Sequence, residues 1–275
     1  MTPQAYDAWY DSPRGRWMGD VEFELLCRHL DTKPGTSLLD VGCGTGWFTR
    51  RLAAAGLQVT GLDVDFDALA FARERSDIGI SYVAGDACRL PFPDQSFDQA
   101  ISITALCFVD DWPRAIAEIV RVARHRFVLG LLNRHSLLWR DKGRDGGKGA
   151  YQGAHWHTRR ELDIALKQLP VENVRFSTAI FLQSGTEFAQ AVERTLPNSL
   201  PWGAFLIASG DVERKGAVAS LPSGLTASSI KFNLATARAS LKPAGDGSGD
   251  EKSQHWKRVR HMSLHPLIEE LLAES

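Results

Sequence analysis

From Ser37 to Leu132, short runs of β-type apolar residues alternate with stretches whose apolar residues recur at helical spacing. SLLDV leads into WFTRRLAAA and QVTGLDV into FDALAFARERS; ISYVAG, FDQAISIT, the amphipathic DWPRAIAEIVRVA and RFVLGLL follow. Near-continuous apolar runs mark strands buried on both faces, so the rhythm predicts a parallel sheet with helices on each side. The expected fold is α/β, a Rossmann-like doubly wound layer. VENVRFSTAIFL and GAFLIAS read as two further strands and bring the mostly parallel sheet to about seven. Thr158, with Glu161 three residues later, forms the signature of a capping box that opens a helix.

In an open parallel sheet, ligands bind beyond the carboxyl ends of the strands where strand order reverses, next to the first strand. That position here holds DVGCGTGWF, with Gly42, Gly44 and Gly46 on alternate positions. Glycines there let the chain turn sharply and let backbone approach a ligand, ahead of a helix N-terminus with free N–H groups. A dinucleotide fingerprint requires G-x-G-x-x-G or A. The third glycine comes one residue early, and Trp47 stands where a small residue is needed, so a pyrophosphate is disfavoured. Asp63 ends the second strand, where an acceptor-only carboxylate can take hydrogen bonds from both hydroxyls of a ribose. Its competing role, capping the next helix, suits Asp65 better. Asp86, at the end of the third strand, can accept from an exocyclic adenine amine while the Ala87 N–H donates to a ring nitrogen; alternatively it only stabilises the turn in AGDA.

LLDVGCGTG, VTGLDVD, VAGDACRLPFPDQSFDQAIS and AIAEIVRVARHRFVLGLLN, in this order and spacing, resemble the class I S-adenosylmethionine-dependent methyltransferases. The similarity is greatest to the small-molecule branch typified by ubiquinone and menaquinone biosynthesis methyltransferases; it is close from Pro34 to Asn133 and looser beyond. The resemblance implies S-adenosylmethionine as cofactor, held by Asp40, Gly42, Cys43, Gly44, Thr45, Gly46, Asp63, Val64, Asp86, Ala87 and Thr104. It implies that Asp40 reaches the amino acid end of the cofactor or braces the loop, and that Thr104 meets that end through its backbone. The implied reaction is methyl transfer to a small-molecule acceptor by in-line displacement, which needs alignment and exclusion of water more than a catalytic triad.

Tyr10, Cys107, Phe108 and His157 are the candidate acceptor residues, with His135 and His155 as further histidines near the expected mouth. Cys107 stands where related quinone enzymes often carry histidine, and a buried thiol is its ordinary role. The histidines of HWH lack further clustered ligands, so no metal is expected. Arg14 and Arg16 would suit an anionic acceptor, and KGRDGGKG lacks the Walker pattern and reads as a surface loop or lid. Two other readings compete. One is a non-catalytic methyltransferase-like binding or scaffold protein; the other, a nicotinamide-dependent oxidoreductase, is opposed by Trp47.

A formal net charge of -1 over 275 residues gives no basic patch for nucleic acid, and no apolar run is long enough to cross a bilayer. Four cysteines without CxxC spacing, and no apolar leader, suggest a cytoplasmic protein. The expected organisation is a helical cap over the pocket at 1–33, the cofactor-binding domain at 34–210, and a low-complexity tail at 211–275. Leu264, Leu267, Ile268, Leu271 and Leu272 give that tail a short amphipathic helix.

Overall fold

The computed structural model describes residues 2–76 and 79–213. The tail beyond Glu213, with its expected amphipathic helix, lies outside the described residues.

Among the described residues, seven strands form one sheet: β1 (Ser37–Val41), β2 (Gln58–Asp63), β3 (Ser81–Ala84), β4 (Phe97–Ile103), β5 (Ala123–Leu132), β6 (Val171–Ala179) and β7 (Phe205–Val212). Their spatial order is β3-β2-β1-β4-β5-β7-β6. Pairing is parallel from β3 to β5, whereas β7 runs antiparallel to both β5 and β6. The last four residues of β1 and the last six of β5 are buried, as strands covered on both faces require. Strand order reverses between β1 and β4, so the glycine-rich turn after Val41 lies at the switch point.

Helices α1 (Pro3–Trp9) and α2 (Pro13–His29) precede the sheet. Helices α3 (Trp47–Ala54), α4 (Phe66–Arg75) and α5 (Trp112–Val122) connect the parallel strands. Helix α6 (Arg159–Leu166) opens with the expected capping box, in which the Glu161 N–H donates to the Thr158 hydroxyl and the Thr158 N–H to the Glu161 carboxylate. Helix α7 (Glu187–Thr195) follows β6.

Two strand ends differ from expectation. β6 stops at Ala179, where Ile180 has a φ of 63°, a left-handed conformation that a β-branched residue rarely adopts. The carboxylate of Glu193 on α7 holds this corner by accepting the N–H groups of Ile180 and Phe181, at 3.0 and 2.9 Å. β7 continues two residues past the boundary expected at Gly210, and the Glu213 N–H donates to the Pro170 carbonyl.

Candidate functional site

All three glycines after β1 take left-handed backbone, with φ of 77° at Gly42, 52° at Gly44 and 78° at Gly46. The turn is cinched onto the end of β2. The N–H groups of Gly42 and Cys43 both donate to the Leu62 carbonyl, at 2.7 and 3.0 Å, and Gly44 donates to Oδ2 of Asp63 at 2.7 Å. Sequence reasoning ascribes the bare backbone to a ligand. The structure adds a packing cause, because a Cβ at Gly42 would lie 2.1 Å from the Cβ of Ala105, and one at Gly46 2.5 Å from the Tyr82 hydroxyl. Gly42→Ala therefore meets both an unfavourable φ and a backbone-anchored clash. It is expected to destabilise the fold by about 2–4 kcal/mol, read as a lowered urea midpoint with the slope unchanged.

Asp63 is nearly buried, and its second oxygen accepts the Asp65 N–H at 2.9 Å. Burial raises its pKa, partly opposed by the hydrogen bonds from Asp65 and Gly44. Asp65 takes the helix-capping role instead, accepting the N–H groups of Asp67 and Ala68 at the start of α4. Asp40 is buried beneath the turn; its Oδ2 accepts the Thr49 hydroxyl at 2.6 Å, and burial pushes its pKa up to about 7 with Asp63 adding to the shift. Asp40 thus braces α3 against β1. The Cys43 thiol packs over Gly61, where a Cβ would lie 2.8 Å from Sγ. Val64 follows Asp63 and is partly buried.

Asp86 is exposed, and its Oδ1 accepts the Cys88 N–H at 2.8 Å, which is the turn-stabilising arrangement; Ala87 between them is partly buried. Thr104, after β4, has a φ of 58° and donates its N–H to the Gly130 carbonyl at 2.7 Å. It opens a 3₁₀ turn, Ala105–Phe108.

The N-terminal helices reach this turn through a residue the sequence did not single out. Asp7 on α1 accepts the Thr45 hydroxyl at 3.0 Å and pairs with Arg50 at 2.8 Å. Tyr10 stacks on Trp47 with ring centroids 4.1 Å apart, and its hydroxyl lies 3.5 Å from that of Tyr6. Burial pushes Tyr6 up to about 12, and the carboxylates of Glu22, Asp7 and Asp63 add to the shift, which places the two tyrosines among the acidic groups of the turn. Glu22 belongs to the inward stripe of α2 formed with Met18, Gly19, Leu25 and Leu26, and burial pushes its pKa up to about 8. Its helical spacing within an apolar stripe was the available signal.

Beyond the 3₁₀ turn lies a cavity of about 280 Å³ lined by Cys107, Phe108, Asp110, Trp112 and His155 among others. The Cys107 thiol is 1% exposed and accepts the Leu132 N–H at 3.2 Å; burial pushes its pKa up to about 12. His157 is fully buried behind this cavity, its ring 4.5 Å from His155 and 5.0 Å from Trp112. Burial, reinforced by His155, pushes His157 down to about 3, so its ring is neutral near pH 7. Tyr10, packed on α3, is not among the residues lining this cavity. Arg14 lies beside Gly185, and Arg16 donates to the Asp11 carbonyl, so neither expected arginine lines it either. Among the described residues no group of three or more His, Cys, Asp or Glu is placed to hold a metal ion, and no helix is long and apolar enough to cross a membrane.

Residues 39–128 match the profile of a family described as a methyltransferase domain. The chain is 38% identical over 130 residues to the malonyl-[acyl-carrier protein] O-methyltransferase of Erwinia pyrifoliae, a match covering 44% of this chain and 48% of that protein. It is 40% identical over 100 residues to the demethylmenaquinone methyltransferase of Renibacterium salmoninarum, covering 36% and 42% respectively. The matches thus span less than half the length of these curated relatives. Among solved structures, a methyltransferase of Thermotoga maritima described as a possible histamine N-methyltransferase superposes with a TM-score of 0.62 at 24% identity, over 76% of this chain and 95% of that one. The phosphoethanolamine N-methyltransferase 2 of Haemonchus contortus superposes with a TM-score of 0.56 at 17% identity, over 70% and 52%. At these identities the structural likeness concerns the fold.

Proposed function

We infer that this chain, whose residues 39–128 match a methyltransferase domain, is a class I S-adenosylmethionine-dependent methyltransferase that moves a methyl group from S-adenosylmethionine to a small-molecule acceptor. The observation that carries the reading is Asp63, fixed at the end of β2 by the Gly44 and Asp65 N–H groups beside a left-handed glycine turn at the switch point. Each carboxylate oxygen accepts one backbone bond and keeps a lone pair for a ribose hydroxyl. The donor set also fits the charge of the cofactor. The carboxyls of Asp40, Asp63 and Glu22 are raised by burial, an environment that a sulfonium and an ammonium would relieve. When bound, S-adenosylmethionine supplies a methyl group on an already activated leaving group.

In this reading Asp63 orients the ribose, Asp86 and the Ala87 N–H read the adenine, and Gly42, Gly44 and Thr104 flank the amino acid end. Residues 1–33 cap the pocket, with the Asp7 contacts to Thr45 and Arg50 fastening α1 to the turn. Residues 34–213 form the binding domain, three residues beyond the expected boundary. The acceptor enters the cavity beside Phe108 and Trp112, whose rings exclude water from the transfer. Neither the Cys107 thiol, raised to about 12, nor the His157 ring, lowered to about 3, is poised to take a proton near pH 7. Four free cysteines accord with a reducing cytoplasm.

Calorimetric titration with S-adenosylmethionine, S-adenosylhomocysteine and NADH tests the reading. Micromolar binding of the first two, about −8 kcal/mol, is expected, with no heat from NADH. Binding of NADH alone would overturn it; binding of the first two without turnover on any acceptor would leave a binding protein.

A further inference from the structure

The cavity beside Phe108 and Trp112 has a neighbour. A second cavity of about 470 Å³ shares Ala154 and His155 with it and is lined further by Trp156, Trp139, Arg134 and Arg144. The two adjoin across Ala154 and His155, as an inner and an outer end. The inner end is carried on the 3₁₀ turn whose Ala105 packs against Gly42, next to the glycine turn. The outer end is formed by the loop after β5 and the glycine-rich segment that folds back over it.

The groups presented at the outer end are hydrogen-bond donors. The guanidinium groups of Arg134 and Arg144 both lie 5.6 Å from the centroid of the Trp139 ring, and neither is in a salt bridge among the described residues. Trp156 is 4% exposed, and its indole N–H, which can only donate, has no hydrogen-bond partner. That nitrogen packs against Gly143, another lining residue, lying 2.9 Å from the point where a Cβ on that glycine would sit. The Nε2 of His155, on the shared wall, is likewise buried without a partner. Asp145 is the acidic residue lining this end. A buried donor without an acceptor costs about 1–3 kcal/mol, which an oxygen atom at the Trp156 N–H would relieve, while Arg134 and Arg144 are exposed at the rim. Two guanidinium groups favour those oxygens being anionic and planar or tetrahedral.

We propose that the cleft from Trp112 to Arg144 binds a methyl acceptor that carries an oxyanion group, a carboxylate or a phosphate, which Arg134, Arg144 and the Trp156 N–H hold while the reacting end lies between Phe108 and Trp112. This rests on the methyltransferase reading. It assigns specificity to residues outside the cofactor turn, with the outer end selecting for charge.

The test uses the full chain saturated with S-adenosylhomocysteine and three probes of one size: 1-naphthoate, 1-naphthyl phosphate and the neutral 1-naphthalenemethanol, read by quenching of tryptophan fluorescence. At least one anion is expected to bind about tenfold or more tightly than the neutral probe; the tighter of the two identifies carboxylate or phosphate as the preferred oxyanion. In the double variant Arg134→Gln with Arg144→Gln the preference is expected to fall below threefold, with affinity for S-adenosylhomocysteine unchanged. Trp156→Phe keeps a ring and removes only the N–H, and is expected to weaken the anions two- to fivefold while leaving the neutral probe unaffected. Equal binding of all three probes, no binding of either anion at millimolar concentration, or an undiminished preference in the double variant would each overturn the proposal. Loss of S-adenosylhomocysteine binding in the unmodified chain, with the anion preference intact in its absence, would instead overturn the cofactor reading and leave the oxyanion site standing.

Discussion

Asp63→Ala is expected to weaken S-adenosylmethionine binding by about 1.5–3 kcal/mol, roughly 10- to 150-fold in Kd by calorimetry. Two effects combine. The substitution removes an ionised acceptor for the ribose hydroxyls, and it leaves the Gly44 and Asp65 N–H groups without their acceptor. The second effect loosens the glycine turn even without ligand, so the unliganded protein should also melt several degrees lower. Asp63→Asn does not separate the two. An amide presents one carbonyl oxygen and one NH2 group, so it can serve one of the two N–H donors and must oppose the other. If Asp63→Ala leaves the affinity unchanged, the ribose assignment is wrong, whatever happens to the melting temperature.

The second large effect concerns stability and pH. Glu22 has a folded pKa of about 8 against an ordinary value of 4.5, and burial is the cause. A carboxyl raised in this way favours the folded state in its neutral form; its penalty is absent at pH 4, grows between about 4.5 and 8, and is complete above that window. The full shift would correspond to about 5 kcal/mol. Glu22 is only partly buried, so water and local rearrangement reduce the expected effect to about 1–3 kcal/mol. Glu22→Gln, which fixes the neutral shape, should therefore stabilise the protein by that amount at pH 8.5 and by almost nothing at pH 4, measured as urea midpoints across the range. Asp40, raised to about 7, has the same sign, so the variant retains a smaller decline over about pH 4 to 7. A gain from Glu22→Gln that is independent of pH would show that the carboxyl does not titrate in this window.

Much of the fold was legible because periodicity and caps are local. The seven strands, the capping box at Thr158 and Glu161, and the Asp65 cap can each be read within a few residues. The antiparallel placement of β7 between β5 and β6 was not, because an apolar run carries no sign of the direction in which it will pair. The left-handed Ile180 was equally hidden, since its support comes from Glu193, thirteen residues away in the chain. At the site, glycine spacing and the strand-end aspartate pointed to the turn after β1 and the end of β2, which the Gly44–Asp63 hydrogen bond joins. The tether from Asp7 to Thr45, the burial of His157 and the convergence of Arg134, Arg144 and Trp156 depend on how distant segments meet. Arg14 and Arg16 drew attention as cations near aromatic residues in sequence, yet the cleft is served by arginines after β5.

The position of β7 also sets an order of events during synthesis. β5 is complete at Leu132, but the neighbour along its free edge is not complete until Val212, 80 residues later. At about 5–20 residues per second, a ribosome needs roughly 4–16 s to cover that interval. For those seconds the apolar edge of β5 stands unpaired, and β6, made earlier than β7, is available to occupy the place that belongs to it. The nascent chain must therefore either keep β6 away or release it when β7 arrives, and conditions that slow elongation after Ala179 extend the time in which edge-to-edge association between chains can compete.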